Sequence, residues 1–127
     1  MSQILGGAIP HLETAMRFRI ARQAALSANV ANADTPNYRR VDLSFDGALA
    51  KAAGRIERTH ARHLGAGGAS DYRLERGPRG QRPDGNGVQL DREVVELTRN
   101  AGAFEKQAAV LTRLLAIRRL ALSGEGR

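Results

Sequence analysis

The chain has no cysteine and no tryptophan, and only three phenylalanines and two tyrosines among 127 residues. Without cysteine, disulfides and thiolate metal sites are excluded, and the redox compartment is left open. Hydrophobic residues make up 42% of the sequence, but 21 of them are alanine. Alanine packs helices closely while burying little area, so a deep globular core is not expected. No apolar run is long enough to span a bilayer, and residues 1–20 lack a basic segment followed by an apolar one. The expectation is a chain that is not membrane-inserted and is exported, if at all, without a cleaved signal peptide. Lysine is scarce too, since 18 of the 20 basic residues are arginine. The net charge of +7 fits a phosphate-rich partner, and fits biased codon usage equally well.

Catalytic and metal-binding patterns fail one by one. His60 and His63 lie three apart with no third ligand nearby, which reads as solvated surface histidine. Asp84-Gly85-Asn86-Gly87 opens like a calcium loop, but glycine and glutamate are then needed where Gln89 and Val95 stand. Gly65-Ala66-Gly67-Gly68 has no following Lys-Ser/Thr, so it is no phosphate-binding loop. No nucleophile–base–acid set or carboxylate pair is assembled. No enzyme activity, cofactor, metal or small-molecule substrate is expected.

Two helical ends flank a glycine- and arginine-rich middle. Ile9, Leu12, Met16 and Ile20, continuing through Ala24 and Ser27 to Val30 and Ala31, follow steps of three and four along one helix face. Gly6, Gly7 and Pro10 place the start of that helix near Pro10, since proline is tolerated in a first turn. Val41, Leu43 and Phe45 alternate with Asp42 and Ser44, as in a short extended segment. From Lys51 to Gly87 glycine and proline dissolve the pattern, and a largely irregular, flexible segment is expected, with a short hairpin using Tyr72 and Leu74 as strand-like positions the alternative.

The last third carries a stronger signal. Leu90, Val94, Leu97, Ala101, Phe104, Ala108, Leu111, Leu115, Arg118 and Leu122 alternate steps of four and three, broken in character only by Arg118. A seam sustained this long is a coiled-coil signature. Asp91 and Glu93 sit where the helix dipole favours negative charge, Arg118 and Arg119 where it favours positive charge. The expected fold is therefore mainly α: long N- and C-terminal helices packed as a coiled-coil-like bundle, with an irregular or small β-containing middle. Residues 1–50 would hold the first helix and its turn, 51–87 the flexible middle, and 88–127 the heptad helix, forming one unit with the first. Apolar positions left over after pairing (Val95, Leu114, Ile117, Leu120, Ala21, Ala25, Ala28) point to a subunit that completes a multi-chain bundle.

Between these parts, Asn29-Val30-Ala31-Asn32 is followed by Thr35-Pro36-Asn37-Tyr38. Proline at the second position and asparagine at the third suit a tight turn with positive φ. Asn29 and Asn32, one helical turn apart, are placed to satisfy carbonyls that the helix end leaves open. This motif resembles the signature of bacterial flagellar axial proteins, the rod, hook and hook-associated subunits. Asp84-Gly85-Asn86-Gly87-Val88-Gln89-Leu90-Asp91-Arg92-Glu93, with Glu96-Leu97 and Asn100, is similar to the proximal rod members of that family. Asn37 departs from the glycine more usual there, but asparagine is the next best residue for that backbone geometry.

The resemblance implies a structural subunit of the flagellar basal-body rod, located in the periplasm-spanning rod. It would be exported by the flagellar type III apparatus and polymerise helically with copies of itself and with other rod and basal-body proteins. Its assembly seam would comprise Ile9, Leu12, Met16 and Ile20 with Leu90, Val94, Leu97, Ala101, Phe104, Ala108, Leu111, Leu115 and Leu122, and Tyr38 would pack on the helices with its hydroxyl on a polar neighbour. A basic nucleic-acid-binding module using arginines between Arg73 and Arg82 is the alternative, but interleaved aromatics are missing. A cytoplasmic coiled-coil adaptor would explain the seam but not the Asn-rich turn.

Overall fold

The computed structural model describes residues 2–45 and 72–124. Within them lie helix α1 (Ser2–Ala31), strand β1 (Val41–Ser44), strand β2 (Arg73–Arg76) and helix α2 (Leu90–Gly124). The architecture is mainly α, with two long terminal helices packed together and a small two-stranded sheet joined to them, in line with the fold read from the sequence. Asn29 meets Glu93 whereas Gln23 meets Asn100, so the helices run antiparallel. Neither helix is long and apolar enough to cross a membrane.

Helix α1 runs through Pro10 instead of starting there. Proline removes the one donor that would bond the carbonyl of Gly6, and leaves the turns on either side free to form. Ile9 is buried beside it, so packing outweighs the local breakers. At the other end, α2 continues to Gly124, which leaves Arg118 and Arg119 short of its last turn. Beyond its own stretch of helix backbone, no atom of the described residues lies within 4 Å of where a Cβ on Gly102 would sit.

The strands pair antiparallel, with Val41 opposite Arg76 and Leu43 opposite Leu74. The partner of β1 thus comes from the middle segment, in a long-range pairing that includes the strand-like Leu74. Leu43 faces the interior, and every β2 side chain is exposed. Phe18 of α1 anchors the sheet, its ring centroid 5.1 Å from that of Phe45 and 6.2 Å from that of Tyr72, in tilted and edge-on arrangements. Residues 72–87 form β2 and a docked loop where flexibility was expected. The rest of that segment, with His60, His63 and the glycines at 65–68, lies outside the described residues.

The core is small: Ile9, Phe18, Leu26, Leu43 and Val88. The inward face of α1 runs through Ile9, Leu12, Met16, Arg19, Gln23, Leu26 and Asn29, and Ile20 is 60% exposed. The inward row of α2 is Glu93, Asn100, Gln107 and Leu114, seven residues apart, with Leu97, Phe104 and Leu111 beside it half-buried. Pairing within the chain therefore uses a row beside the expected assembly seam. Leu90, Val94, Ala101, Leu115 and Leu122 are exposed, because the row that meets α1 is the polar one next to them.

Candidate functional site

The Asn-rich motif and the start of α2 form one polar clamp. Asn29 is fully buried at its centre. Its Nδ2 donates to the Val41 carbonyl at 2.7 Å and to Glu93 Oε2 at 2.9 Å. Its Oδ1 accepts from the Val41 N–H at 2.9 Å and from the Tyr38 hydroxyl at 3.2 Å. Asn29 therefore does not close its own helix end but holds β1 and α2, and only Asn32 does the expected job, donating to the Ala28 carbonyl at 2.8 Å. A fully satisfied amide of this kind fixes the geometry of three elements at once.

The turn after the helix follows from its residue types. The Tyr38 N–H donates to the Thr35 carbonyl at 3.3 Å, and Asn37 takes φ 58°, in the left-handed region. A second turn docks against it. Gly85, at φ 72°, lets the chain double back, and the Asp84 carbonyl accepts from the Asn37 N–H at 2.8 Å. The Gly87 N–H donates to the Tyr38 carbonyl at 2.9 Å. Asn86, 1% exposed, donates from Nδ2 to the carbonyls of Asn32 (2.9 Å) and Thr35 (2.7 Å). Of the remaining motif residues, Val30 is half-buried, and Ala31, Thr35 and Pro36 are exposed.

A charged network continues the clamp across β1. Arg22 grips Asp42 with two bonds, at 2.8 and 3.0 Å, and reaches Glu96 at 3.0 Å. Arg40 donates to Asp42 at 2.9 Å and to the fully buried Glu93. Bidentate arginine–carboxylate geometry is the strong form of such contacts. Burial pushes the Asp42 carboxyl up, but bonds from Arg22, the Leu43 N–H and Arg40 outweigh it and hold the group at about 2, against an ordinary 3.8. Bonding to Asp42 raises the Arg22 guanidinium further. In Arg40 burial pulls down, and the bonds to Glu93 and Asp42 overcome it.

The lowered Asp42 value makes stability depend on pH in a defined window. The unfolded chain takes up this proton first, so the stabilisation is complete above about pH 4 and is lost as pH falls through the folded value, amounting to about 2 kcal/mol. Urea unfolding midpoints should drop across this window in the natural chain. Asp42→Asn should be less stable at neutral pH and show a shallower acid drop. An identical acid dependence in both would contradict the assignment.

Sequence reasoning named Glu93, Asn86 and Asn100 in the family run without their structural roles, beyond the charge of Glu93 at the helix end, and it missed Leu26 and Phe18. Asn100 is buried between the helices, donating to the Arg19 carbonyl at 2.8 Å and to Gln23 Oε1 at 2.7 Å. The signal was present in the seven-residue spacing of Glu93, Asn100 and Gln107.

Two concave surfaces flank the clamp. An apolar groove of about 420 Å³ runs between α1 and α2, lined by Ile20, Ala24, Ser27, Ala101 and Phe104 with Arg19, Gln23, Asn100 and Glu105 at its edges. It brings together Ile20, Ala101 and Phe104 of the expected seam, while Leu115 and Leu122 lie outside it. A polar cleft of about 780 Å³ opens between residues 77–82 and the start of α2. Its Arg40 and Arg82 are engaged with Glu93, Asp42 and Asp84. Among the described residues no cluster of three or more His, Asp or Glu could hold a metal ion.

A family model described as flagella basal body rod protein matches residues 9–39, the span from the inward face of α1 to the turn. The flagellar basal body rod protein FlgB of Cereibacter sphaeroides is 36% identical over 115 residues, covering 87% of this chain and 90% of that protein. FlgB of Bacillus subtilis is 33% identical over 101 residues, covering 76% of this chain and 78% of the relative. FlgB of Salmonella typhimurium is 33% identical over 119 residues, covering 84% and 86%. With the motif, the clamp and this coverage in agreement, the chain belongs to the family of flagellar basal body rod proteins FlgB.

Proposed function

We propose that this chain builds the proximal rod by polymerising helically through the apolar rows its helices turn outward. Membership of the family makes it a structural component of the flagellar basal body rod and not an enzyme. The supporting observation is the exposure of Val94, Val95, Val110, Leu115, Ile117, Leu120 and Leu122, between 47% and 71% each, along one helix. Exposed apolar side chains in that number along one helix mark an interaction surface. Head-to-tail contacts that do not close generate a tube, able to carry torque from motor to hook. Copies of the chain and other rod and basal-body proteins are the partners this reading requires, with the type III export apparatus as the route.

In this reading the two helices make one inner unit, and β2, with its exposed side chains, lies outward. The clamp of Asn29, Tyr38 and Glu93 sets the direction in which the chain leaves the helix. Deleting the gene should abolish swimming and leave no rod or hook beyond the membrane ring in isolated basal bodies, with both restored by the natural gene. Normal swimming in the deletion strain would end the proposal.

A further inference from the structure

We propose that Asn86-Gly87 is a deamidation site whose chemistry is shut off while residues 84–88 stay docked on the Asn32–Tyr38 turn. It is the only asparagine followed by glycine in the chain: the others precede Val30, Ala33, Tyr38 and Ala101. Glycine matters because the reacting nitrogen belongs to the following residue, where a side chain would obstruct its approach.

The Gly87 backbone nitrogen gives up its proton and attacks Asn86 Cγ. The Cγ–Nδ2 bond breaks, ammonia leaves, and a five-membered succinimide forms. Water then opens the ring at either carbonyl, leaving aspartate or isoaspartate. One water is consumed and one ammonia released, with no change of oxidation state.

In the docked chain the reacting groups are engaged elsewhere. The Gly87 N–H donates to the Tyr38 carbonyl at 2.9 Å. The Asn86 amide donates to two carbonyls at 2.9 and 2.7 Å, and its Oδ1 accepts from the Val88 N–H at 2.7 Å. With the residue 1% exposed, water is kept from the ring-opening step as well. The rate therefore follows the population of undocked chain.

The product cannot return to the same place. A carboxylate at residue 86 would face the Asn32 and Thr35 carbonyls and lie beside Asp84, whose Oδ1 accepts from the Asn86 N–H at 3.0 Å. Isoaspartate would lengthen the main chain where there is no slack, since a Cβ on Gly80 would already lie 1.7 Å from the Asn86 carbonyl oxygen. Chains left undocked are thus marked irreversibly.

The test follows the full chain by intact mass and peptide mapping, in native buffer and in concentrated urea, both mildly alkaline. The mass gain of an amide-to-acid conversion separates this reaction from isomerisation at Asp84-Gly85, which changes no mass. In urea Asn86 should convert before any other asparagine, and Gly87→Ala should slow it. In native buffer conversion should be at least about tenfold slower, because only the open fraction reacts. Gly80→Val, whose Cβ would collide with the Asn86–Gly87 backbone and displace it from its docked position, should bring the native rate up towards the urea rate. Equal native and urea rates in the natural chain, earlier conversion of another asparagine in urea, or no rise with Gly80→Val would overturn the proposal.

Discussion

Glu93→Ala is expected to lower the unfolding free energy by about 3 kcal/mol, read as a fall in the urea midpoint. Glu93 is fully buried and accepts from Asn29 Nδ2 and from Arg40. Removing one member of a buried pair leaves its partners desolvated, and that penalty, not the lost attraction, sets the size of the effect. The lower end of the usual range applies because Arg40 keeps Asp42 and Asn29 keeps the Val41 carbonyl. Glu93→Gln should lose roughly 2 kcal/mol, since the shape and one acceptor survive while the new amide turns a donor towards Asn29 or Arg40. A small domain is stable by only about 5–15 kcal/mol in total, so the alanine variant should also lose circular-dichroism helicity under mild denaturation. A midpoint equal to that of the natural chain would mean that Glu93 does not carry the clamp.

The two helices were legible because alanine-rich, three-and-four-spaced segments have few other ways to bury their apolar residues, and the turn was legible because Pro36 and Asn37 have narrow backbone preferences. The facing of the helices was not. The apolar seam through Val94, Ala101 and Leu115 does not face α1. The interface instead uses the row one residue earlier, about 100° around the helix. Hydrophobic periodicity cannot register Glu93 and Asn100 as interior residues, because what lets them in is a set of partners far away in sequence: Asn29, Arg40, Arg19 and Gln23. The same holds for Asn86, whose acceptors belong to a turn some fifty residues earlier. In α1 the stripe drifts after Met16, so Leu26 takes the interior place that continuation through Ile20 assigned to Ser27.

An apolar row not used inside the subunit remains free for its neighbours. Leu115→Glu together with Leu122→Glu should leave the isolated chain's urea midpoint within about 0.5 kcal/mol of its natural value, as both positions are exposed. Leucine and glutamate also differ little in helix propensity, so α2 itself should persist. Swimming, by contrast, should be lost on complementation of a deletion strain. Burying a carboxylate in an apolar contact costs several kcal/mol per site, and a polymer repeats that cost at every subunit. Leu115→Met with Leu122→Met preserves the apolar surface and should swim normally. The pair of outcomes separates the two faces of α2: damage at Glu93 acts on the subunit before it meets any partner, while damage at Leu115 and Leu122 acts only when subunits meet. A double glutamate variant that swims like the methionine control would confine α2 to packing within its own chain and leave the outward row without a role in assembly.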